Sequence, residues 1–95
     1  MRLLIPVLLF SSFALAESSP VVVQWRYYTD HIDYQSVCYN YPKNSVDWRT
    51  CRREAVYIFR DRCGEYSRKA DRTGDVGDIQ MRRMYCTAAQ SYNPL

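Results

Sequence analysis

Histidine occurs once in this chain, as His31, and glycine only three times. One histidine excludes the paired-histidine zinc motifs, and no phosphate-cradling glycine loop or dinucleotide fingerprint is present. Three glycines also argue against a scaffold made mostly of disulfide-tied loops. Beyond residue 16, leucine and isoleucine are scarce: only Ile32, Ile58, Ile79 and Leu95 occur. No apolar run in that region approaches the roughly 20 residues a membrane helix needs. Charge of one sign is lacking too. Without Arg2, twelve basic residues face ten acidic ones, a net charge of +2. That balance points away from a nucleic-acid partner.

What is present begins with the first 16 residues. Arg2, an apolar stretch from Leu3 to Phe13 and the Ala14-Leu15-Ala16 tripeptide have the layout of a cleavable signal peptide. The stretch is too short and too interrupted, by Pro6 and two serines, for a membrane span. An exported chain, periplasmic or secreted, is expected to start near Glu17. Four cysteines in an oxidising compartment are expected to form two disulfides. A domain of this size needs such staples, because it buries only a modest core.

The stretch from Trp48 to Tyr66 carries the clearest periodicity. At about 100° per residue, Trp48, Cys51, Ala55, Ile58, Phe59, Cys63 and Tyr66 share one broad arc, and most of the charged residues lie opposite. A long amphipathic helix is expected, capped by Ser45 or Asp47, with Gly64 inside it. Tyr34, Val37, Cys38 and Tyr41 form a shorter stripe, which predicts a helix from His31 to about Asn40, closed by Pro42. Met81, Met84, Tyr85, Ala88 and Tyr92 predict a third helix, capped by Asp75 or Asp78. The polar stretch from Lys69 to Asp78 reads as the loop before it. Val21 to Thr29 alternates in part and reads as an extended segment. The expected architecture is all-α: residues 17–30 an extended arm, residues 31–95 a three-helix antiparallel domain stapled by disulfides.

Cys51 and Cys63 lie about 18 Å apart on one helix, too far to bond. Antiparallel neighbours bring Cys38 level with Cys51, and Cys63 level with Cys86. These are the expected pairs; Cys38–Cys63 with Cys51–Cys86 matches the heights less well.

Chemistry is harder to find. His31 stands between two aspartates in Thr29-Asp30-His31-Ile32-Asp33, where it could act as a base or a metal ligand, yet no second histidine exists and a solvated helix start is the favoured reading. The aspartates of residues 71–78 have the flavour of a calcium loop, but Val76 stands where an EF-hand needs glycine and Arg82 where it needs glutamate. No metal or cofactor is expected. Cys38-Tyr39 resembles the end of the His-Asp-x-Cys-Tyr stretch of small secreted phospholipases A2. Gln35 and Ser36 stand at the histidine and aspartate positions, so the resemblance implies no catalytic pair here.

Two surfaces remain. Trp25, Tyr27 and Tyr28 belong to an aromatic stretch of the residue types enriched in binding hot spots. Arg49, Arg53 and Arg60 lie close together on the helical winding and form a positive stripe. The leading expectation is a non-enzymatic exported protein that binds another exported or envelope protein as an inhibitor, immunity factor or accessory. The alternative is an anionic-surface binder that meets membrane lipid or lipopolysaccharide through the arginines. A small hydrolase centred on His31 ranks third.

Overall fold

The computed structural model describes residues 20–95. The expected signal peptide, residues 1–16, and the first residues of the expected arm, 17–19, lie outside the described residues. Two α-helices and one short 3-10 turn make up the regular structure of the described chain: the turn Tyr34–Ser36, α1 Val46–Thr73 and α2 Val76–Ser91. No helix among them is long and apolar enough to cross a membrane.

Helix α1 begins where the Ser45 hydroxyl accepts from the Trp48 N–H at 3.1 Å, which satisfies one of the free donors of its first turn. It runs through Gly64 without a break and extends past the expected end at Tyr66. The polar stretch that reads as a loop is largely helical: α1 continues to Thr73, and only Gly74 and Asp75 separate it from α2. Polarity marked the solvent face of a helix there, not its end. The stop is local. Gly74 adopts a left-handed φ of 66°, and its N–H closes on the Ala70 carbonyl at 2.8 Å. Asp75 then caps α2 by accepting from the Asp78 N–H.

The helix predicted from His31 to Asn40 is absent, so the fold has two helices and a 3-10 turn in place of three helices. One local bond and two to the preceding segment compete with helix there. The Ser36 hydroxyl donates to the Asp33 carbonyl at 2.6 Å and accepts from the Arg26 N–H at 2.8 Å. The Cys38 N–H turns away to the Gln24 carbonyl at 2.7 Å. Cys38 itself sits at φ 68°, outside the right-handed helical region.

The segment before Tyr27 carries no regular element and lies beside the 3-10 turn. Besides the Gln24 and Arg26 bonds, the Val22 N–H donates to the Tyr41 hydroxyl and the Asn40 amide donates to the Val22 carbonyl. Val21, Val23 and Trp25 are half-buried, while Val22, Gln24 and Arg26 are exposed. The alternation read in the sequence is present as far as Trp25.

The core is aromatic where leucine and isoleucine are missing. Phe59 is fully buried at its centre. Trp25 meets it edge-on at 5.1 Å and Tyr92 at 5.2 Å; Tyr34 meets Tyr92 at 5.7 Å, and Tyr66 stacks on Tyr85 at 5.7 Å. Edge-to-face pairs of this kind contribute about 0.5–1.5 kcal/mol each beyond the area they bury. The disulfides are Cys38–Cys51, which ties the segment after the 3-10 turn to α1, and Cys63–Cys86, which ties α1 to α2. Two disulfides fit an oxidising environment.

Candidate functional site

Arg52 is the residue around which this end of the molecule is assembled. It lies on the inner face of α1, between Trp48 and Ala55, and is only 7% exposed. Its Nε donates to the Pro94 carbonyl at 2.7 Å. Nη1 donates to the carbonyls of Tyr34 at 2.9 Å and Val37 at 3.1 Å, and Nη2 to that of Asn93 at 3.2 Å. One side chain therefore holds the 3-10 turn and the C-terminal tail against α1. The rings of Trp48 and Tyr92 lie 4.9 and 5.1 Å from the guanidinium carbon, close enough for cation–π attraction. Tyr92 returns a bond from its hydroxyl to the Arg52 carbonyl at 3.0 Å. Burial pushes the Tyr92 phenol up to about 12, opposed by the positive charge of Arg52, and burial also raises Tyr34.

Beside Arg52 opens a cleft of about 550 Å³ between the 3-10 turn and the start of α1. Gln35, Tyr39, Tyr41, Lys43 and Trp48 form its walls with Arg52, and Leu95 reaches its rim. Asn44, at φ 70°, makes the tight turn that brings Lys43 to the cleft mouth and Ser45 to the helix cap.

A second, shallower groove of about 390 Å³ runs along the N-terminal segment. Trp25, Tyr27, Tyr39, Arg62 and Tyr85 line it. Arg62 donates to the Tyr85 hydroxyl at 2.8 Å and stands 5.0 Å from the Trp25 ring; Arg26 stacks on Tyr39 at 4.0 Å. Tyr27 is 60% exposed, Tyr28 59% and Tyr39 46%. Tyr27 pairs with Ile32 across a single antiparallel bridge, so the exposed rings project from a closed turn. The Tyr28 N–H donates to the His31 carbonyl at 2.8 Å, which closes the turn from inside.

The residues singled out in the sequence are not all in one place. Tyr27 and Tyr28 are exposed on the turn. Trp25, expected beside them as a binding residue, presents only part of its ring to the groove and otherwise packs on Phe59 and Tyr85. Arg49, Arg53 and Arg60 are exposed on α1. Among the described residues none of the three meets a carboxylate within 4.0 Å, and the Arg60 guanidinium stands 6.0 Å from the Tyr57 ring. His31 is exposed at the turn, with Nδ1 2.8 Å from an Asp30 oxygen and its ring 4.9 Å from Tyr28. The bond from His31 lowers the Asp30 carboxyl.

The role of Arg52 emerges only in three dimensions. For Arg52 a signal existed: it stands four residues after Trp48 and three before Ala55, on the arc that periodicity assigned to the core. Tyr39 belongs to the aromatic stretch from Trp25 to Tyr41 that reads equally as core or interface, and the structure leaves it 46% exposed beside the groove. No protein-family model, curated protein or solved structure matches this chain.

Proposed function

We propose that this chain is an exported, non-enzymatic protein-binding module whose contact face is the groove bordered by Tyr27 and Tyr39, extended by the exposed Tyr28 on the adjoining turn. One observation carries the reading. Exposed Tyr27 and Tyr39 share one groove with the edge of Trp25; Arg26 stacks on Tyr39 beside the disulfide-bonded Cys38, and Arg62 of α1 stands against Trp25 and Tyr85. Such rings offer large amphipathic contact area and lose little conformational freedom on binding. The partner is another exported or envelope protein, bound in the manner of an inhibitor, immunity factor or accessory subunit. Export through the signal peptide ending near Ala16 agrees with the disulfides.

The unpaired Arg49, Arg53 and Arg60 favour a second reading, attachment to membrane lipid or lipopolysaccharide. Affinity capture separates the two. Oxidised protein is exposed to envelope and secreted material and washed at low and at high salt, beside a Tyr27→Ser/Tyr39→Ser variant and a variant with all three arginines changed to glutamine. Screening removes attraction between exposed charges. A discrete protein retained at high salt, and lost in the tyrosine variant, is the expected result. Lipid retained only at low salt, and lost in the arginine variant, would transfer the function to the arginine face. Protein retention unchanged in the tyrosine variant would remove the groove from consideration.

A further inference from the structure

The cleft beside Arg52 has features that a protein-binding face does not require. Its two charged side chains, Lys43 and Arg52, are both cationic; among the described residues no acidic side chain lines it, and Leu95, which also lines it, forms no ion pair with either. Arg52 is 7% exposed, and every partner of its guanidinium is a neutral backbone carbonyl. Neither of the two ion pairs among the described residues involves Arg52, Lys43 or Leu95. A guanidinium has five N–H donors, and four are engaged here, which leaves one on Nη2 without a protein partner among the described residues. A buried positive charge with no counter-ion is costly, and an anion reaching it gains a charge-assisted hydrogen bond that water provides less well. The remaining walls are rings: Trp48, Tyr41 and Tyr39, with the Gln35 amide on the side of the 3-10 turn. The volume, about 550 Å³, lies in the range of small-molecule sites, which combine apolar walls with a few convergent polar groups.

We propose that this cleft binds a small organic acid, its carboxylate directed to Arg52 and Lys43 and its apolar body laid against Trp48 and Tyr41. A free inorganic anion would satisfy the cations and leave the rings unused. A neutral apolar molecule would cover the rings and leave the guanidinium as it is. Only a molecule carrying both parts uses both halves of the site. The inference goes beyond the protein-binding reading and does not depend on it.

The test is an amide-resolved NMR titration of the oxidised, ¹⁵N-labelled protein with 3-phenylpropanoate, beside 3-phenylpropanamide and inorganic phosphate. The expected result is a saturable shift of the Trp48 indole N–H and the Gln35 side-chain amide with the acid. The amide should bind about tenfold more weakly, the loss of one charge-assisted contact. Lys43→Ala should weaken the acid about two- to fivefold, as for a solvent-facing charge pair. Arg52 is left intact because it also holds the fold. Tyr27→Ser should leave the titration unchanged, which keeps failure here distinct from failure of the partner surface. Equal binding of acid and amide would overturn the proposal. So would a Lys43→Ala titration identical to wild type, inorganic phosphate binding as tightly as the acid, or shifts confined to residues outside the cleft.

Discussion

Replacing Arg52 by methionine removes four hydrogen bonds at once while keeping a side chain of similar length. The Val37 carbonyl bond is buried, so losing it leaves an unsatisfied acceptor worth about 2 kcal/mol. The carbonyls of Tyr34, Asn93 and Pro94 lie at partly buried bonds, and water can replace the guanidinium there. Each of those costs about 0.5 kcal/mol. Removing the buried charge returns part of this, because the guanidinium no longer has to be desolvated. The net expectation is a loss of about 3 kcal/mol, equivalent to roughly 12–24 °C in Tm for a domain of this size. Urea unfolding of the oxidised protein measures the loss directly, with the slope m unchanged if the folded state is otherwise intact. Hydrogen exchange should localise it, with protection falling first around Tyr34–Val37 and Tyr92. A variant within about 0.5 kcal/mol of wild type would refute the reasoning. In that case desolvation of an unpaired guanidinium would offset all four bonds, and Arg52 would not be what holds the two segments together.

Three further outcomes are expected. Gly64→Ala should stabilise by about 1 kcal/mol in urea unfolding, because the residue is inside α1 and an added Cβ would meet only the movable tip of Arg68, at 3.4 Å. Replacing Cys63 and Cys86 by alanine should cost about 3 kcal/mol, the entropy released by opening a 23-residue loop; loss of Tyr66–Tyr85 stacking in the near-ultraviolet spectrum should accompany it. Between about pH 10 and about pH 12 Tm should fall. The unfolded chain gives up the Tyr92 proton at the ordinary tyrosine value near 10, while the folded chain keeps it to about 12. The unfolded state then binds fewer protons, so stability declines as pH rises through this window. Tyr92→Phe should flatten that decline.

Helix α1 was legible because its signal is repetitive: seven residues from Trp48 to Tyr66 return to one arc, and a serine stands where a cap is needed. The pairing of Cys63 with Cys86 followed from antiparallel neighbours on either side of the stretch Lys69 to Asp78, and the structure sets the actual turn, Gly74 and Asp75, equidistant from both. The stripe Tyr34, Val37, Cys38, Tyr41 was equally regular and misled. Its residues do face the core in part, but from a 3-10 turn and the irregular segment after it, tied by bonds to Gln24 and Arg26, ten or more positions away. Periodicity reports which side chains are apolar, and it is silent on where the backbone N–H groups find partners. The same blindness hid Arg52. A charged residue on an apolar arc reads as a flaw until the carbonyls of Asn93 and Pro94 arrive from the far end of the chain. The aromatic stretch was undecidable between core and surface because it is both. Trp25 and Tyr34 turn inward, whereas Tyr27, Tyr28 and Tyr39 remain outside.

The two disulfides join the first cysteine to the second and the third to the fourth. An oxidant that simply links each cysteine to the next one along the chain therefore produces the native set. Neither bridge encloses or crosses the other, so neither has to wait for a segment that lies beyond its own loop. A chain delivered end-first into an oxidising space can close the first bridge once Cys51 has emerged and the second once Cys86 has. No wrong pair needs to be broken along that route. The connectivity thus lowers the need for a disulfide-shuffling catalyst during end-first delivery, whereas refolding from the fully reduced state leaves all three pairings open.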